Sequence, residues 1–207
     1  ALQAIHDARM KVGDAVVVFG GGVIGQLVCQ LAAMNGAGRV VLVEPHADRR
    51  RIARQLGTSA ALDPTATDMP VGYEVKKLLG DRGADIAIET SGTYSGLHSA
   101  IASVGVGGTV VAAGYYQGGG LDLRLGEEWH HNRPTLVSSM GVWGCPHRDH
   151  PLWHRRRMME TVVDLIYSDR LVVEPLLTET IPFRRAPEAY KRLDDDPGSA
   201  LKIALSY

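Results

Sequence analysis

From Val16 to Gln30 the chain reads VVVFGGGVIGQLVCQ. A β-branched run passes through three glycines directly into a stretch where Ile24, Leu27, Val28, Leu31 and Met34 recur at helical spacing. A strand that enters a helix through so few residues, all without side chains, needs a tight turn, and its apolar run needs cover on both sides.

The same alternation continues along the chain. DAVVVF, RVVLVE (Arg39 to Glu44), AAL before Asp63, DIAIET, GTVVAAG and TLVSSMGV read as strands. The segments HADRRRIARQLG, VGYEVKKLLG and YSGLHSAIASV between them read as helices. The strands lack polar alternation, which predicts an α/β fold, a doubly wound parallel sheet of the Rossmann type covered on both faces. Past Gly114 the pattern changes: YYQGGG is loop-like, a helix is expected from about Leu152 to Ser168, and the tail holds a strand, a helix entered at Pro187, a turn at DDDPG and a final strand. The expected division is a nucleotide-binding domain over 1–142 and a helix-strand extension over 143–207.

Gly20, Gly22 and Gly25 form G-x-G-x-x-G between a predicted strand and a predicted helix. In that context Gly20 allows the turn, Gly22 lets backbone approach a pyrophosphate, and Gly25 lets the helix lie close on the strand. The first free N–H groups, around Val23 and Ile24, would bind phosphate oxygens. Glu44 ends the second strand about 20 residues on, where a carboxylate accepts bonds from ribose hydroxyls and repels a 2′-phosphate, so NAD is expected over NADP. Arg49 is close enough to counter that inference; the expectation is that it covers the ribose and the acid decides. Glycine-rich βα turns also occur in flavoproteins, methyltransferases and sheets that bind nothing. Methyltransferases lose ground because Val18 and Phe19 stand where their strand usually ends in an acid.

Composition narrows the classes. In 207 residues, 45% hydrophobic, the formal net charge is −1 and the basic residues are dispersed, so neither nucleic acid nor an anionic membrane is an expected partner. No apolar run reaches the ~18 residues of a membrane helix. Two cysteines, Cys29 and Cys145, suit a reducing cytoplasm and are too few for a disulfide framework. The first residues, ALQAIHDARM, read as an amphipathic helix and not as a secretory signal. A start at Ala1 in place of Met leads to the expectation that the N-terminus has been cut.

The stretch from MKVGDAVVVFGGGVIGQ to GTSAALDP, then GADIAIETSG, GGTVVAAG and the closing FRRAPEAYKRLDDDPGSALKIALSY resemble the cofactor half and C-terminal segment of the zinc-type medium-chain alcohol and polyol dehydrogenases. The resemblance implies NAD-dependent hydride transfer between a secondary alcohol or polyol and a ketone. It implies that Glu44 and Arg49 contact the adenosine ribose, and that Gly20, Gly22, Val23, Ile24 and Gly25 form the pyrophosphate loop. Thr90 and Ser91 would pass the nicotinamide ribose. Ala113, Gly114 and Tyr115 would lie beside the nicotinamide, as would Ser138 and Ser139 through backbone groups that bind its carboxamide. Lys202 would reach back toward the pyrophosphate. The family's zinc ligands belong to a catalytic half N-terminal to this region, so no catalytic or metal residue is assigned here and zinc is expected only there. A homo-oligomer built through the edge strand near TLVSSMGV is also implied. Two alternatives stay open: a stand-alone NAD-binding module without turnover, and a zinc-independent enzyme like the quinone and enoyl reductases.

Other groupings read as structural. Cys145, His147, His150 and His154 have spacing that could hold a metal, but Pro151 discourages a helix that would align His150 with His154, and solvated loop histidines are the preferred reading. His130 and His131 in EEWHHNRP are read as capping a loop. Cys29 is read as buried filler, and YYQGGG as a mobile loop that could gate entry.

Overall fold

A computed structural model describes residues 1–141 and 152–207. Six strands form one sheet: β1 (Ala15–Phe19), β2 (Arg39–Val43), β3 (Ala60–Leu62), β4 (Ala84–Glu89), β5 (Val104–Ala112) and β6 (Thr135–Ser138). Their spatial order is β3-β2-β1-β4-β5-β6, and every neighbouring pair is parallel. The chain winds outward from β1 in one direction and returns to wind outward from β4 in the other, which is the doubly wound fold expected.

The central strands β1, β2 and β4 are largely apolar because each feeds two cores. Val16 and Val18 face one, with Val40, Leu42, Ile86 and Ile88; Val17 and Phe19 face the other, with Val41, Val43 and Ala87. The first core takes Ala4 and Ile5 from α1 (Leu2–Asp7), Val28 and Leu31 from α2 (Val23–Met34), and Ala53 from α3 (Ala47–Gln55). The second takes Val71 and Val75 from α4 (Val71–Leu78) and Leu97, Ala100 and Ile101 from α5 (Tyr94–Ser103). Truncating a fully buried side chain such as Ile88 to alanine in packing of this kind costs about 2–5 kcal/mol. Cys29 is buried in the first core as expected, and burial pushes its thiol up to about 12.

One helix was not anticipated. α6 (Glu128–Asn132) lies within EEWHHNRP and ends at Arg133 in the left-handed conformation, with Trp129 packed on the second core. Five residues make too few turns to show a hydrophobic period. α7 (Arg155–Tyr167) starts later than the expected Leu152, because His154 serves as its N-cap, its Nδ1 accepting from the Arg157 N–H at 3.3 Å. Val162, Leu165 and Ile166 of α7 pack on the first core, and Leu171 enters it. The tail follows the expected order, with β7 (Leu177–Pro182), α8 (Ala186–Asp195) and β8 (Lys202–Ser206), the two strands pairing in parallel as a separate sheet. The domain boundary expected after 142 lies outside the described residues, as do Cys145, His147, His150 and Pro151. Among the described residues no helix is long and apolar enough to cross a membrane.

Candidate nucleotide-binding site

Parallel strands leave a crevice at their carboxyl ends where the winding reverses, here between β1 and β4. A cleft of about 860 Å³ opens there, lined among others by Gly20, Gly22, Glu44, Arg49, Thr90 and Ser91. Six of the expected contacts thus converge on one cavity.

The glycine loop has the geometry its motif requires. Gly20 has φ +94°, open to a residue without Cβ, and a Cβ at Gly25 would lie 1.8 Å from the Gly20 carbonyl oxygen. A Cβ at Gly22, by contrast, would meet nothing within 4 Å, so this stretch of backbone faces open space. Gly22 is the N-cap of α2 and offers no side chain to cap it, and the first-turn N–H groups of Val23 and Ile24 have no intrahelical acceptor. Thr90 fastens the loop from the β4 side, its hydroxyl 2.9 Å from the carbonyls of both Phe19 and Gly20.

Glu44 is 2% exposed, and its carboxylate accepts the Gly21 N–H at 2.6 Å and the His46 N–H at 2.9 Å. Two backbone donors fix the side chain at the cleft wall and leave carboxylate lone pairs for a ligand. Arg49 Nη1 lies 3.9 Å from it. The guanidinium is also claimed from the far end of the chain: Nη2 donates to the carbonyls of Pro197 and Ala200, and Pro197 itself lines the cleft. Its Nε is buried without a hydrogen-bond partner among the described residues. Buried Gln26 ties both sides together, donating to the carbonyls of Gly21 at 3.1 Å and Arg49 at 2.9 Å.

The remaining expected residues sit beside this cleft or away from it. Ala113, Gly114 and Tyr115 follow β5, Ser138 ends β6 and Ser139 follows it, all at the carboxyl edge of the sheet but not among the lining residues. The Ser139 N–H is already donated to the Ala112 carbonyl at 2.9 Å. Lys202 opens β8, exposed, and is not a lining residue.

Sequence reasoning passed over Glu89. It ends β4 as Glu44 follows β2, and it is fully buried. Its carboxylate accepts the Ser91 N–H at 2.6 Å, the Ser91 hydroxyl, the Gly92 N–H at 3.2 Å and the Tyr116 hydroxyl. Its backbone carbonyl accepts the N–H groups of Ala113 at 2.8 Å and Gly114 at 3.0 Å. Burial, followed by that carboxylate, pushes the Tyr116 phenol far above its ordinary range. The available signal was an acid closing an otherwise apolar strand. YYQGGG, expected to be a mobile gate, is tethered by Tyr116 to Glu89 and by the Tyr94 hydroxyl to the Gly118 carbonyl at 3.1 Å.

Among the described residues no group of three or more His, Cys, Asp or Glu is arranged to hold a metal ion.

Residues 23–154 match the family described as zinc-binding dehydrogenase. The chain is 38% identical over 208 residues to D-guloside 3-dehydrogenase of Escherichia coli (strain K12), covering all of this chain and 59% of that protein. Among solved structures it is similar to 2R,3R-butanediol dehydrogenase from Bacillus subtilis, with a TM-score of 0.78 at 26% identity over 98% of this chain and 53% of that one. A Sinorhizobium meliloti 1021 structure bound to NADP shares the fold, with a TM-score of 0.73 at 24% identity over 91% of this chain and 51% of that one. The chain therefore spans little more than half the length of these relatives.

Proposed function

Since this chain belongs to the zinc-binding dehydrogenase family, we propose that it is the NAD-binding region of an alcohol or polyol dehydrogenase that moves hydride between a secondary alcohol or ketone and NAD(H). The observation that carries this reading is the pairing of buried Glu44 with the open backbone at Gly22 across one cleft. The first supplies acceptors for ribose hydroxyls, and the second supplies room and N–H groups for a pyrophosphate.

NAD is favoured over NADP because a 2′-phosphate would meet the Glu44 carboxylate. The cation that could offset it, Arg49, is already held by two tail carbonyls. When bound, the cofactor supplies the hydride acceptor. The chain orients it: Thr90 and Glu89 fix the loops that flank the nicotinamide ribose, and Gly114 brings backbone close to the ring. Zinc belongs to the catalytic half that the family resemblance implies. In the division proposed, 1–142 holds the cofactor and 143–207 returns to that half. β6, at the sheet edge with Leu136 40% exposed, is the proposed seam of a homo-oligomer. A reducing cytoplasm suits the free thiol of Cys29.

Calorimetric titration with NAD and NADP tests the reading. NAD should bind more tightly than NADP, and Glu44→Ala should weaken NAD at least tenfold, the loss of about 1.4 kcal/mol or more. Binding of neither dinucleotide overturns it.

A further inference from the structure

A carboxylate removed from water normally meets a cation. Glu89 does not: it is fully buried, and among the described residues no Lys, Arg or His lies within ion-pair distance of it. Its four partners are neutral donors, and two of them are backbone amides, which can only donate. Hydrogen bonds stabilise the charge in place without cancelling it.

Two glycines bring the flanking loops close to that charge. A Cβ on Gly114 would lie 2.6 Å from Glu89 Oε2 and 2.5 Å from Gly92 Cα, so the loops after β4 and β5 touch backbone to backbone directly above the carboxylate. No side chain of either glycine separates the charge from the surface that the loops present. On the proposed function, that surface carries the nicotinamide. The two redox states of the ring differ there by one unit of charge, positive when oxidised and neutral when reduced.

We infer that Glu89 is a specificity-determining residue whose uncompensated buried charge favours the oxidised cofactor over the reduced one. This rests on the cofactor reading above and adds to it a preference between two forms of one ligand. A unit charge acting through protein on the ring changes the relative affinity about tenfold or more.

The test is calorimetric titration of the protein with NAD+, NADH and ADP-ribose, which lacks the ring. Glu89→Gln should raise the Kd for NAD+ about tenfold relative to that for NADH, with ADP-ribose unmoved. Tyr116→Phe, which removes one hydrogen bond and keeps the charge, should leave the NAD+ to NADH ratio at its wild-type value. Tyr116→Lys, which places a counter-ion beside the carboxylate, should move the ratio as Glu89→Gln does and tests the inference if Glu89→Gln does not fold. Equal weakening of NAD+ and NADH in Glu89→Gln shows that the residue only shapes the loops, and overturns the inference while ADP-ribose binding upholds the site. Failure of the wild type to bind ADP-ribose overturns the cofactor reading and this inference with it.

Discussion

Gln30 and Val172 exchange two hydrogen bonds across 142 residues of chain, the Gln30 amide donating to the Val172 carbonyl and accepting its N–H, both at 2.9 Å. A side chain on the glycine-loop helix thereby imitates a strand neighbour for the segment that follows α7. Gln30→Leu should remove both bonds and strand two backbone groups, at a cost of about 2–3 kcal/mol. Urea unfolding monitored by circular dichroism should show a lower midpoint with an unchanged slope.

Gly22 and Gly25 should separate binding from stability. Gly22→Ala adds a Cβ that meets nothing in the protein, so the folded state should hold within about 0.5 kcal/mol while NAD affinity falls at least tenfold. Gly25→Ala drives a Cβ into the Gly20 carbonyl, so both stability and affinity should fall. Thermal melting and calorimetry on the two variants check the contrast.

Cys29 should report global opening. Its folded thiol is raised to about 12 by burial, above the ordinary value near 8.5. The resulting stabilisation is present in full below pH 8.5 and is lost as the pH climbs toward 12, because only the unfolded chain ionises in that window. In a Cys145→Ser background, labelling by a thiol reagent at pH 8 should be no faster than unfolding. Rapid labelling under native conditions would contradict the burial described.

Asp63 should contribute in the opposite direction. The Thr65 hydroxyl and then the Thr65 N–H hold its carboxyl below the usual range, helped by Arg50 at 2.9 Å. A depressed folded value stabilises above the ordinary carboxylate range near 3.9 and is lost as pH falls through the lower folded value. NMR titration should place the Asp63 carboxyl below a typical aspartate, and Thr65→Ala should bring it back up.

Local order was legible because it is written locally. The apolar run at Val16–Phe19, the glycine spacing and the acid after β2 are contiguous patterns, and the strand readings match four of the six strands within about two residues, while TLVSSMGV runs four residues past the end of β6. β5 begins four residues ahead of GTVVAAG, where VGVG offers little pattern to read. The hold of Pro197 and Ala200 on Arg49 and the bond from Tyr116 to Glu89 join residues far apart in sequence, and no period or motif announces them. Glu89 was in plain view within AIETSG, yet its partners are two loops whose proximity only the sheet order creates.

The bonds from Arg49 to Pro197 and Ala200 also bear on the chain's birth. One wall of the cleft is made of residues 44–49 and of a turn translated about 150 residues later. A nascent chain on the ribosome can assemble β1, α2 and β2 early, but this side of its cleft stays unwalled until translation has passed Pro197. Whatever enters the cleft therefore meets a complete wall only in a chain translated beyond Ala200.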